Sequence, residues 1–173
     1  MCVRWLAVPL VLGLAAPALA DASAVVVDAA AGPAYLTNSR SHTLSHLFKP
    51  VVRLGVRQEL GDRAEVGGAL VGLLDASQHY RVLGALGQAR YALLNSARFS
   101  LGAAAGLGLG HDADILNEDL AADRRVAPYW LVGVDGRWIL ARRWLLGIEA
   151  AWQNAAVLQV GLVAGSRFGG SAR

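Results

Sequence analysis

The chain is short of charge. Of its 173 residues 17% are Asp, Glu, Lys or Arg, 55% are hydrophobic, and among its 16 basic residues Lys49 is the only lysine. Mean hydropathy is +0.41. A water-facing surface usually carries about 25–35% charged residues of both signs, so this composition argues against an exterior that is wholly solvated. Cysteine is all but missing as well. Cys2 is the only one, which rules out an internal disulfide, a cysteine nucleophile or a cysteine metal site in whatever remains after residue 20. Long hydrophobic runs are also lacking beyond that point. Arg, Asp or Glu interrupts every later apolar segment before the roughly 18 residues that a spanning helix needs.

The first twenty residues, MCVRWLAVPLVLGLAAPALA, differ in kind. Arg4 supplies a basic start, Leu6 to Ala16 an apolar stretch, and Ala18-Leu19-Ala20 an A-x-A cleavage signal. This pattern reads as a secretory signal peptide, too short in its apolar part to span a bilayer. Two regions are therefore expected: a signal peptide over 1–20 and one domain over 21–173.

Within 21–173 the apolar residues alternate. Strand side chains point to opposite faces in turn. From Pro128 to Ile139 one parity holds Trp130, Val132, Val134, Gly136 and Trp138, and the other Tyr129, Leu131, Gly133, Asp135 and Arg137. Trp144–Gln153 and Val157–Phe168 split the same way, with Trp144, Leu146, Ile148, Ala150 and Trp152 on one apolar face and Leu158, Val160, Leu162, Ala164 and Phe168 on another. Upstream, alternation marks strands near 24–35, 52–59, 83–93 and 99–109. Between 65 and 74 both parities are mostly apolar or glycine, so the facing there is open. Eight strands are predicted. Short connections, "LGDR" (60–63), "LNSA" (94–97) and "ARR" (141–143), follow strands two, four and six. Long polar segments follow strands one and five, at 37–48 and 110–127, so both fall at one end of the sheet. Outer-membrane barrels share this asymmetry of short periplasmic turns and longer outer loops.

The signal peptide, the eight alternating strands and the closing "QVGLVAGSRF" together resemble small outer-membrane β-barrels of the OmpA/OmpX type. In that class the last strand is a glycine-containing alternation with a terminal aromatic. Gln159, Gly161, Leu162, Ala164 and Phe168 match it, although Gly169 to Arg173 follow the aromatic. The resemblance implies an all-β, eight-stranded, antiparallel up-and-down transmembrane barrel in the outer membrane. It implies outer-membrane lipid around the barrel, and the barrel-assembly machinery as a partner during biogenesis.

An eight-stranded barrel has an interior just wide enough to be filled by its side chains. The polar face is rich in glycine and alanine and carries both signs of charge. Asp28, Glu59, Glu65, Asp135 and Glu149 stand against Arg53, Arg57, Arg90, Arg137 and Arg167. Buried charges must be paired or they are costly, and the planar fork of arginine suits bidentate pairing. The expectation is a lumen closed by ion pairs. On the apolar face aromatics sit at strand ends. Tyr35, Trp130 and Trp152 fall near one rim, and Tyr91, Phe99, Trp138, Trp144 and Phe168 near the other, as two membrane girdles. Trp130 to Trp138 and Trp144 to Trp152 are equal intervals of eight residues. At a rise of about 3.3 Å and a tilt of roughly 40° each climbs about 20 Å, against an apolar band about 25 Å tall.

The sequence gives thinner support to chemistry. "SRSHTLSH" offers Ser41, His42, Ser45 and His46 to a lipid-modifying acyl hydrolase or transferase on the same scaffold, with Ser77, His79 and His111 in other outer loops. No third orienting group is evident beside them. His111, Asp112, Asp114, Asn117, Glu118 and Asp119 are oxygen-rich, but their spacing is not that of a calcium-binding EF-hand loop. "GAAAGLGLG" lacks the Lys-Ser/Thr of a phosphate loop. The isoelectric point near 9.5 comes without a basic stripe, so nucleic acid is not an expected partner. No cofactor, metal or catalytic residue is predicted. A soluble periplasmic barrel that binds an apolar ligand is the other architecture compatible with the alternation.

Overall fold

The computed structural model describes residues 24–36, 48–73, 82–111, 126–140, 143–154 and 157–169. Eight strands run in chain order: β1 (Val25–Leu36), β2 (Phe48–Leu60), β3 (Ala64–Leu73), β4 (Val82–Asn95), β5 (Phe99–His111), β6 (Val126–Leu140), β7 (Trp144–Gln153) and β8 (Val157–Phe168). Each pairs antiparallel with its neighbour in sequence, and β1 pairs with β8 to close the barrel. The expected up-and-down eight-stranded barrel is the observed fold. Closure leaves no free edge, so every strand has a partner on both sides.

The alternation read from the sequence is the alternation of burial. Along β4, Val82, Gly84, Leu86, Gln88 and Arg90 are buried, and Leu83, Ala89 and Tyr91 are exposed. In β3, where parity was open, Ala69, Val71 and Leu73 turn inward and Val66 and Leu70 outward, which puts Glu65 on the interior parity. The outward parity of the eight strands carries no Asp, Glu, Lys or Arg. Its large apolar side chains, such as Leu54, Leu107, Ile148 and Leu162, stand exposed on the outside of the barrel.

Several boundaries differ from the sequence reading. β4 continues to Asn95, so Leu94 and Asn95 belong to the strand and not to a 94–97 turn. The register slips between Ala92 and Leu94, leaving Leu93 and Leu94 both exposed. Such a bulge adds one residue to one strand, which simple alternation cannot anticipate. β5 runs to His111 and β6 starts at Val126, so the long connection is shorter at both ends than 110–127. His111 is therefore a strand residue paired with Leu83 and Val126, not a loop residue.

The turns at 61–63 and 96–98 and the entry to β7 at Arg143 share one end of the barrel with residues 24 and 169. Gly61 takes a positive φ of 71°, a conformation that favours glycine. At the other end Asn154 pins the β7–β8 connection. Its Oδ1 accepts a hydrogen bond from the Trp130 N–H at 2.8 Å, and its own N–H donates to the Trp130 carbonyl at 3.2 Å.

Candidate functional site

The interior divides into two levels. Toward the short turns it is ionic. Arg53, Arg57, Arg90 and Arg137 meet Asp28, Glu65, Asp135 and Glu149, equal in number and all buried or nearly so. Arg53 donates to Asp28 at 3.0 Å and forks onto Glu149, at 2.6 Å from Nη2 and 3.5 Å from Nε. Arg57 hydrogen-bonds the other oxygen of Asp28. Its Nε also lies 3.1 Å from Glu65, an ion-pair distance without the alignment of a hydrogen bond. Arg90 grips Asp135 through Nε and Nη2, the latter at 2.6 Å, and reaches Glu65 and Ser100 at 3.0 Å each. Arg137 donates to Asp135 at 2.8 Å and Glu65 at 3.3 Å, with Asp28 at 3.6 Å.

The chain of contacts continues upward. Gln159 donates to Glu149 at 3.3 Å, Gln153 donates to Gln159 at 2.5 Å, and the Tyr129 hydroxyl donates to Gln153. Every strand contributes: Asp28 from β1, Arg53 and Arg57 from β2, Glu65 from β3, Arg90 from β4, Ser100 from β5, Asp135, Arg137 and Tyr129 from β6, Glu149 and Gln153 from β7, and Gln159 from β8. Small residues make the room. A Cβ on Gly102 would lie 2.6 Å from the Arg90 guanidinium, and one on Gly55 would lie 2.8 Å from Asp28 and 2.9 Å from Arg53. The inward glycines are thus the counterpart of the large arginines beside them.

Toward the long-loop end the interior is mainly apolar, with Lys49, Gln153 and Gln159 buried there as well. Ala34, Val51, Val71, Leu73, Val82, Leu86, Ala127, Tyr129, Leu131, Ala151 and Val157 form one buried cluster. Between the levels lies a cavity of about 20 Å³ lined by Arg53, Arg57, Gln88, Leu131, Asp135 and Glu149 among others. That is room for about one water. Gln88 Nε2 and the Nε atoms of Arg57 and Arg137 are buried without a hydrogen-bond partner.

Of the charged residues singled out from sequence, Asp28, Arg53, Arg57, Glu65, Arg90, Asp135, Arg137 and Glu149 meet in this one network. Glu59 and Arg167 do not join it. They form a separate bidentate pair, at 2.8 and 2.6 Å, half-open at the short-turn mouth. The sequence reading passed over Ser100, Gln153, Gln159 and the hydroxyl of Tyr129, and it did not anticipate the apolar layer. Their inward parity was available, but alternation carries no information on height along the barrel.

On the outer face, Tyr91, Trp138, Trp144 and Phe168 are exposed toward the short-turn end, where Phe99 is half-buried against Trp138 with ring centroids 5.6 Å apart. Tyr35 and Trp152 are exposed toward the other end, and Trp130 there is half-buried. Ser41, His42, Ser45, His46, Ser77, His79 and the acidic positions 112–119 lie outside the described residues. Among the described residues no three His, Cys, Asp or Glu side chains cluster as metal ligands would.

No family model matches the chain, and no curated protein matches it in sequence. Solved structures do. The N-terminal β-barrel domain of Pseudomonas aeruginosa OprF is 14% identical, with a TM-score of 0.61 over 84% of this chain and 97% of that one. Neisserial surface protein A is 13% identical, with a TM-score of 0.56 over 86% and 97%. The fold is that of the small outer-membrane β-barrels. A de novo designed transmembrane β-barrel is similar too, at 12% identity and a TM-score of 0.52 over 85% of this barrel and 97% of the designed one.

Proposed function

We propose that the protein is an integral outer-membrane barrel, exported by its N-terminal signal peptide and inserted by the barrel-assembly machinery, with a structural or surface-interaction role and no catalytic one. The observation that carries this reading is the outward face. It has no Asp, Glu, Lys or Arg on any strand, and its exposed apolar side chains run around the whole barrel. A soluble barrel presents such a face to water at great cost. In a bilayer the same face is matched to its solvent, and aromatics near both ends of the strands are the girdles expected at the two interfaces.

The lumen of this barrel is closed. Ion pairs among six strands, extended to β5 and β8 by the hydrogen bonds of Ser100 and Gln159, cross the short-turn half, and the apolar cluster occupies most of the long-loop half. A cavity of about 20 Å³ between them supports a plug with one water-sized gap, not a conduit. The surface role belongs to the long connections at 37–47 and 112–125.

Cell fractionation tests the reading. The chain should follow the outer-membrane fraction, require detergent for release, and migrate differently on gels with and without heating. Recovery in the soluble periplasm refutes it, and would favour the apolar-ligand barrel instead.

A further inference from the structure

The three short turns repeat one arrangement. Each ends on an arginine directly before a strand: Arg63 before β3, Arg98 before β5 and Arg143 before β7. In each case the arginine carbonyl accepts a hydrogen bond from the next strand around the barrel, from Ala92 N–H at 2.7 Å, Ile139 N–H at 2.9 Å and Arg167 N–H at 2.8 Å. The backbone of all three is therefore held at the rim, and all three side chains are exposed.

Two of the arginines are followed directly by an outward aromatic ring, and the third by a residue whose cross-strand partner is one. Phe99 follows Arg98, Trp144 follows Arg143, and Ala64, which follows Arg63, pairs with Tyr91. Among the described residues the acids of this rim are Glu59 and Asp62; Glu59 is gripped by Arg167 through two hydrogen bonds, and Asp62 is engaged as well. Among the described residues no carboxylate forms an ion pair with Arg63, Arg98 or Arg143. Entries to alternate strands are roughly 10–13 Å apart along such a rim.

We propose that Arg63, Arg98 and Arg143 bind the phosphates of anionic phospholipid in the leaflet at the short-turn end, a proposal that rests on the membrane reading above. An aromatic belt marks the headgroup level of a bilayer, so an arginine one residue beyond the belt stands at the depth of the phosphodiesters. The guanidinium fork matches two phosphate oxygens at once, and its long apolar stem lets the charge reach sideways to the interface. The same turns could have offered a cell-wall carboxylate a basic mouth. The aromatic neighbour at every arginine favours lipid.

The mature chain, carrying Trp130→Phe and Trp152→Phe so that Trp138 and Trp144 report on the short-turn rim, is refolded into neutral phosphatidylcholine vesicles. Folding is checked by the heat-dependent gel shift. Quenching by brominated phosphatidylglycerol is then compared with quenching by brominated phosphatidylcholine. At low salt the anionic lipid should be preferred by about 5-fold, the effect of one arginine near a charged surface. The preference should fall toward unity in Arg63→Gln/Arg98→Gln/Arg143→Gln and persist in the corresponding lysine triple variant. Equal quenching in the parent chain overturns the proposal, as does a preference that survives in the glutamine variant. A preference abolished by soluble glycerol phosphate would mean a free-phosphate site and also overturns it. Binding of purified peptidoglycan without any lipid preference reassigns the arginines to the cell wall. A chain that does not insert at all overturns the membrane reading itself, whereas insertion without preference sinks only this proposal.

Discussion

Replacing Asp28 by Asn tests the ionic plug most directly. The side chain is fully enclosed and is shared by Arg53 at 3.0 Å, by Arg57 and by Arg137 at 3.6 Å. Asn has the same shape, so no cavity opens and only the charge is lost. At an effective dielectric of about 20, the attractions to Arg53 and Arg137 are about 5.5 and 4.6 kcal/mol before desolvation and arginine–arginine repulsion are set against them. Removing one partner of a buried pair costs about 3–5 kcal/mol, and that is the expected loss for Asp28→Asn. It should appear as a lower midpoint in reversible urea unfolding from lipid vesicles, followed by tryptophan emission. Adding Arg57→Met to Asp28→Asn restores the balance of charge, and most of the lost stability should return. The two changes would then be strongly non-additive, as expected for side chains in contact. A loss below about 1 kcal/mol for Asp28→Asn, or a double variant as weak as the sum of the singles, would refute the reasoning. Either result would mean that water screens the lumen charges.

Three further outcomes follow from the same geometry. Gly102→Ala places a Cβ 2.6 Å from the Arg90 guanidinium and should destabilise the barrel by about 1–3 kcal/mol; Gly72→Ala, with nothing within 4 Å, should change stability by less than about 0.5 kcal/mol in the same unfolding assay. Leu86→Ala removes a fully buried side chain from the apolar layer and should cost about 2–5 kcal/mol, with a rise in single-channel conductance if that layer is part of the seal; unchanged conductance would assign the seal to the ion pairs alone. Leu162→Arg puts a charge at the middle of β8, where the side chain is 67% exposed. It should cost about 2–4 kcal/mol in vesicles, whereas a near-neutral effect would mean that this face meets water.

Much of the fold was legible because a strand has a strict period of two. The facing of Trp130, Asp135, Arg137 and Glu149 required only counting, and so did the even number of strands. β3 was opaque for the opposite reason: both of its parities mix glycine with Ala, Val or Leu and give little polar contrast, and Glu65 found its side only through its pairing with Arg90 across the sheet. The slip at Ala92/Leu94 was hidden because Leu93 and Leu94 are equally apolar.

The sequence by itself determined the strand count, the inward and outward faces of every strand but β3, and the balance of acids against arginines. These are properties of alternation and composition, and they hold wherever each strand lies along its neighbour. Only the tertiary structure decided which acid meets which arginine. Closing β1 onto β8 brings Arg53 of β2 to Glu149 of β7 and Glu59 of β2 to Arg167 of β8, and sets the stagger that lifts Tyr129 and Leu131 into an apolar layer while Asp135 and Arg137 stay in the ionic one. Height along the barrel depends on the register of all eight strands together, and no single strand encodes it.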